Sequence, residues 1–158
     1  MRSALLTFAF FLLAPLAAAE EPIVFMGDDE PAMKQAFARA RATLDGFLKL
    51  AAEKPAELGR FAVKVGVDEG KDVEYFWITD FAQVGDRFIG KIGNTPQMVK
   101  SVKLDQDYEF KREQIVDWLY LDRPKRKMVG NFTYCALLTK ETPAKAEAAK
   151  KRFNLDCE

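Results

Sequence analysis

One stretch, Val73 to Gly93 (VEYFWITDFAQVGDRFIGKIG), constrains the fold more than any other. It reads as two strands joined by a short turn at Val84-Gly85-Asp86. Side chains alternate faces along a strand. The first strand then places Val73, Tyr75, Trp77 and Phe81 on one face, and Glu74, Phe76 and Ile78 on the other. A strand that is apolar on both faces belongs inside a sheet, not at its edge. The second strand sets Phe88 and Ile92 against Arg87 and Lys91, with Ile89 as the exception, so it reads as half-buried.

The flanking segments extend this sheet. Phe61, Val63, Val65 and Val67 alternate with Ala62, Lys64 and Gly66, a strand with one wet face. The turn segment Asp68-Glu69-Gly70-Lys71-Asp72 joins it to the next strand as a hairpin. Short connections imply antiparallel pairing, because parallel neighbours need long crossovers. Asn94-Thr95-Pro96 breaks the pattern, and the Met98, Val99 and Val102 segment fits a helical turn or a strand. Tyr108 to Lys111 is a short strand, and Ile115 to Leu121 is another. The latter sets Val116, Trp118 and Tyr120 against Ile115, Asp117, Leu119 and Leu121, which leaves Asp117 among apolar neighbours. Arg123-Pro124-Lys125-Arg126-Lys127 reads as a solvated hairpin tip, with an anion or phospholipid site as the functional alternative. Gly130 to Leu138 reads as the last strand.

Helical spacing is clearest from Pro31 to Ala52. Met33, Phe37, Ala40, Leu44, Leu48 and Ala51 recur every three or four residues and make one apolar stripe. Such a stripe covers a sheet, over about 33 Å at 1.5 Å per residue. Asp28 or Asp29 can cap this helix, and Pro31 suits its first turn. A second helix opens at Thr142-Pro143 and runs to about Phe153. Its Ala and Lys body offers little apolar area.

The chain has 158 residues, 49% of them hydrophobic, which is enough for one packed domain. Before it comes a segment of another kind. Arg2, the apolar run Leu5 to Leu16 and the small residues Ala17-Ala18-Ala19 match a secretory signal peptide over residues 1–19. The run is too short to span a bilayer. No Cys follows it, so no lipid anchor is expected, and the mature chain from Glu20 is expected to be periplasmic or secreted, with no membrane span. In an oxidising compartment Cys135 and Cys157 are most simply a disulfide, with a reactive thiol as the alternative. The chain has no His, which removes Ser-His-Asp and Cys-His catalysis and imidazole zinc sites. Lys and Arg total 24, as do Asp and Glu, so no global field favours a nucleic acid.

Six pieces, DDEPAMKQAFARARATLDGF, FAVKV, EYFWIT, FIGKIGNTP, REQIVDW and GNFTYCALL, occur in an order that resembles the YegJ-like family of bacterial proteins. They span about Asp28 to Leu138. The resemblance implies a small α+β domain of unknown function, often behind a signal peptide, with no established activity, substrate or cofactor. The tail ending in Cys157 goes beyond that pattern, which makes the disulfide a feature of only some members. Asn131-Phe132-Thr133 matches a glycosylation sequon that has no meaning in a bacterial chain.

The expected architecture is α+β: one long N-terminal helix on a mainly antiparallel sheet, with a short C-terminal helix. Without His, catalysis falls to carboxylates, Lys, Tyr or hydroxyls. Glu74 and Asp117 could act as an acid/base pair if the fold brings them within about 5–10 Å. Pairing with a cation such as Lys64, or with backbone amides, is the structural reading of both. Trp77 and Trp118 read first as core, although Trp118 with Asp117 and Tyr120 could form an aromatic patch. Asn94 and Asn131 sit beside glycines and suit turns. The candidate binding residues are therefore Glu74, Trp77, Asn94, Asp117, Trp118 and Asn131. The leading functional reading is a non-enzymatic binding or protein-interaction domain, with another envelope protein or a small ligand as partner. The alternatives are a carboxylate-dependent hydrolase of envelope glycans or peptides, and an inhibitor or immunity-type protein. No cofactor and no metal are expected.

Overall fold

A computed structural model describes residues 26–157. The expected signal peptide lies outside the described residues. The Val73–Gly93 hairpin lies inside the sheet, with neither of its strands at an edge. β1 (Leu58–Glu69), β2 (Asp72–Val84), β3 (Arg87–Ile92), β4 (Asp107–Lys111), β5 (Ile115–Asp122) and β6 (Lys127–Gly130) make one sheet in the order β4-β3-β2-β1-β5-β6. Every pairing is antiparallel, and short turns require this of β1–β2, β2–β3 and β5–β6. The helices are α1 (Pro31–Glu53), α2 (Phe132–Leu138) and α3 (Pro143–Phe153), so the fold is α+β.

Register explains where the core sits. Val63 lies opposite Ile78, Val65 opposite Phe76, and Ile78 opposite Ile92. Cross-strand partners share a face, and all five of these side chains are fully buried. α1 adds Met33, Ala36, Ala40, Leu44, Phe47 and Ala51 to the same core. Its small residues let it approach β5, where the Trp118 indole donates to the Ala40 carbonyl at 3.1 Å. Phe47 stacks on Trp118 with centroids 4.8 Å apart, and also meets Phe61, Phe81 and Tyr120. Burying a side chain such as Leu44 or Phe47 stabilises the fold by about 1.5–3 kcal/mol.

Four expectations are corrected. The register of β2 against β3 shifts between Thr79 and Ala82, with Asp80 at φ 48°. That extra residue turns Phe81 away from the Trp77 side and onto Phe47 and Phe88. A second shift, between Lys64 and Val65 against β5, sets Ile115 opposite Val65, on the face of Trp118 rather than that of Asp117. The supposed cap also differs: Glu30 is the N-cap of α1 without a side-chain hydrogen bond, and Asp28 instead accepts from the Tyr75 hydroxyl.

The fourth correction is the largest. Gly130 to Leu138 is not a strand, because β6 stops at Gly130 and α2 follows. Gly130 has φ 84°, and a Cβ there would collide with the Trp118 carbonyl oxygen. Asn131, at φ 59°, turns the chain out of the sheet. The first amides of α2 then find their acceptor in Asp117 of β5. A helix of seven residues has too little sequence to show a 3.6-residue period.

α3 is capped by Thr142, whose side chain accepts from the Lys145 amide. No residue of α3 is buried. The Cys135–Cys157 disulfide, the Lys127–Asp156 ion pair at 2.8 Å and a bridge between Met128 and Leu155 hold the tail.

Candidate functional site

The second face of the sheet carries the polar chemistry. Lys64 lies opposite Trp77 on one side and Asp117 on the other, and Gly66 lies opposite Tyr75. Lys64, Tyr75, Trp77 and Asp117 therefore share the face away from Val63 and Phe76. The expected wet face is largely covered: Ala62 is buried, and Lys64, Tyr75 and Trp77 are half-buried. A cavity of about 510 Å³ opens beside Lys64 and Tyr75, lined from both faces of the sheet and by α1 and α2. Lys64, Glu74 and Tyr75 line it together with Phe37 of α1, Met98 and Leu137 of α2.

Lys64, Thr133 and Asp117 form a relay. The Lys64 ammonium donates to the Thr133 hydroxyl at 2.6 Å, and that hydroxyl donates to Asp117 Oδ2, also at 2.6 Å. Asp117 is fully buried and accepts three backbone amides besides: Trp118 at 2.8 Å, Phe132 at 3.2 Å and Thr133 at 2.8 Å. Burial pushes the Asp117 carboxyl up, against the pull of Thr133, Lys64 and the Trp118 amide. Burial pushes the Lys64 ammonium down, and the charge of Asp117 partly restores it. The ammonium also sits 4.6 Å from the centre of the Trp77 ring, a cation–π contact.

Glu74 sits in a nest of amides. Gln97 donates to Oε1 at 2.8 Å, and Met98 and Val99 donate to Oε2 at 2.8 and 3.0 Å. Burial raises its carboxyl, but the three amides more than offset this, and its pKa lies below the ordinary value. Next to it, Tyr75 donates its hydroxyl to Asp28. Burial and the neighbouring carboxylate push that phenol well above its usual range.

The six sequence-derived candidates do not form one constellation. Glu74 lines the cavity, and Trp77 supports Lys64 from the side. Asn94 accepts the Trp77 amide at 2.9 Å, and Asp117 stands behind Thr133. Trp118 belongs to the core. Asn131 serves the chain reversal before α2, where its carbonyl accepts from the amides of Tyr134 and Cys135. Glu74 and Asp117 are not a pair: β1 runs between them, Glu74 facing Val67 and Asp117 facing Lys64. Two interstrand spacings and three residues of rise put their Cα atoms about 14 Å apart, on opposite faces.

Sequence reasoning missed Tyr75, Thr133 and Asp28 as parts of the site, and named Lys64 only as a partner. The signal for Lys64 was present, a lysine between two valines. Thr133 carried no local signal, since its role depends on α2 meeting β5.

Among the described residues, no helix is long and apolar enough to cross a membrane. No solved structure matches the chain. It is 34% identical over 151 residues to the "Uncharacterized protein YegJ" of Escherichia coli strain K12, an alignment covering 96% of this chain and 95% of that protein. The family match extends past Leu138 through the tail to Cys157, so the tail lies within the family pattern rather than beyond it. The chain belongs to the bacterial family described as "Uncharacterized protein conserved in bacteria (DUF2314)", whose model matches residues 30–157.

Proposed function

We propose that the chain is exported and acts as a non-enzymatic binding domain that takes a small amphipathic ligand into the cavity beside Lys64. The observation that carries this reading is the cavity itself, about 510 Å³ with mostly apolar walls and six polar side chains, those of Asp28, Lys64, Glu74, Tyr75, Gln97 and Thr133. Ligand sites are commonly of this size and character, about 300–1,000 Å³. Glu74 and Asp117 each spend their acceptor capacity on backbone amides, which favours binding over acid/base chemistry. Residues 1–19 support export to the periplasm or beyond, and the disulfide suits an oxidising compartment.

The test uses the full-length gene expressed in a bacterial host. Intact mass of protein from the periplasmic fraction is expected to begin at Glu20, and cytoplasmic protein that keeps residues 1–19 would refute export. The purified mature protein is then titrated with the neutral, polarity-sensitive fluorophore N-phenyl-1-naphthylamine. Saturable binding at one site per chain is expected. Val73→Trp should abolish it without changing the melting temperature, because Val73 lines the cavity yet is 42% exposed. Absence of saturable binding, or binding unaffected by Val73→Trp, refutes the reading.

A further inference from the structure

We propose that the ligand of this cavity carries a carboxylate, seated on the Lys64 ammonium, at the end of an apolar body. The inference rests on the binding reading above and names the chemical class of the ligand. Its basis is the position of Lys64. Withdrawing a cation from water is costly unless an anion faces it, yet half-buried Lys64 enters none of the ion pairs among the described residues. Its hydrogen bond goes to a neutral hydroxyl, Thr133.

Asp117 lies behind that hydroxyl and is already filled by three amides and the hydroxyl itself. It tempers the charge of Lys64 from a distance and does not occupy its donors. An ammonium has three N–H groups. Thr133 takes one and the Trp77 ring covers one side, while Lys64 lines the cavity. An acceptor arriving in the cavity completes the shell.

Two carboxylates also line the space, and neither holds Lys64. Glu74 is bound by the amides of Gln97, Met98 and Val99, which spread its charge into the backbone. Asp28 is exposed, where water screens it, and it takes the Tyr75 hydroxyl. The remaining walls include Met26, Met33, Met98, Phe37 and Leu137. Methionines adapt to irregular, flexible apolar shapes. A medium-length acyl chain and the C-terminus of a short apolar peptide both present this combination of carboxylate and apolar body.

The experiment displaces bound N-phenyl-1-naphthylamine at pH 7 with two matched pairs: decanoate against decanol, and N-acetyl-leucyl-leucine against its C-terminal amide. Charge-assisted hydrogen bonds are the strong ones, so at least one acid should displace the probe at about tenfold lower concentration than its neutral partner. The pair that shows the preference identifies the source of the carboxylate. Lys64→Met should erase the preference and Lys64→Arg should keep it, with melting curves confirming that both variants fold. Equal displacement by acid and neutral partner in both pairs overturns the carboxylate inference while leaving the cavity a binding site. A preference that survives in folded Lys64→Met overturns the seat at Lys64. Failure of the fluorophore itself to bind is a different result, and refutes the binding reading on which the inference rests.

Discussion

Replacing Asp117 by alanine strips one acceptor from four donors. The amides of Trp118, Phe132 and Thr133 and the Thr133 hydroxyl all point at it, at 2.6–3.2 Å. The hydroxyl can rotate, but the three amides are held by β5 and α2 in a site with no solvent contact at Asp117. Each orphaned buried donor costs about 1–3 kcal/mol. Relaxation of α2 limits the sum, so the expected loss for Asp117→Ala is about 3–5 kcal/mol, as for breaking a buried ion pair. A domain of this size has about 5–15 kcal/mol to lose. Asp117→Asn should cost less, about 1–3 kcal/mol. Its carbonyl replaces Oδ1 for Trp118 and Phe132, while its amide group meets the Thr133 amide donor to donor, and the Thr133 hydroxyl turns to accept. The ordering Ala worse than Asn follows from acceptor count alone. Urea denaturation followed by tryptophan fluorescence reads both variants, since Trp118 is the next residue and stacks in the core. The comparison holds if the slope of the transition is unchanged. An Asp117→Ala protein within about 1 kcal/mol of the parent would refute the reasoning, because it would mean that the amides are satisfied elsewhere.

Glu74 should make the fold acid-sensitive: its pKa is held below the ordinary 4.5 in the folded state, so its contribution is full above that value and is lost as pH falls through the lowered one. Glu74→Gln should therefore flatten the stability profile as the pH falls below the ordinary 4.5, and an unchanged slope in urea melts across that acid limb would contradict the amide nest. Asp117 acts with the opposite sign, its raised pKa making protonation favour the folded state, so Asp117→Asn should not flatten the acid limb. Reducing the Cys135–Cys157 bridge, which closes a separation of 22 residues, should cost about 3 kcal/mol in the chain-entropy model. Because no residue of α3 is buried, hydrogen exchange should show residues 143–157 losing protection while β1 and β2 keep theirs; loss throughout the sheet would show that the bridge supports the core instead.

The parts of the fold that were legible in the sequence are those set by local periodicity. The β2–β3 hairpin shows its period of two and its Gly85 turn, and α1 shows its stripe, because in both cases the residues that pattern together also pack together. Legibility failed where one residue changed the count. Asp80 adopts a positive φ without being glycine, and that single extra residue carries Phe81 to the other face. It failed again at α2, whose N-terminal amides are satisfied by an aspartate fifteen residues upstream of Phe132, a partner that no local window contains. The candidate site divides along the same line. Glu74, Lys64 and Asp117 stand out in the sequence because each interrupts an apolar run, and an ionisable group in such a place has to be compensated in the fold. What compensates them is a matter of register. Lys64 meets Trp77 and Asp117 because β1 pairs with β2 and β5 in one alignment. A slip of one residue in either pairing would turn Lys64 or its partners to the α1 side. The register that buries Val63 and Val65 is therefore also what brings Lys64 to the cavity, so selection for the core would by itself maintain the geometry of the site.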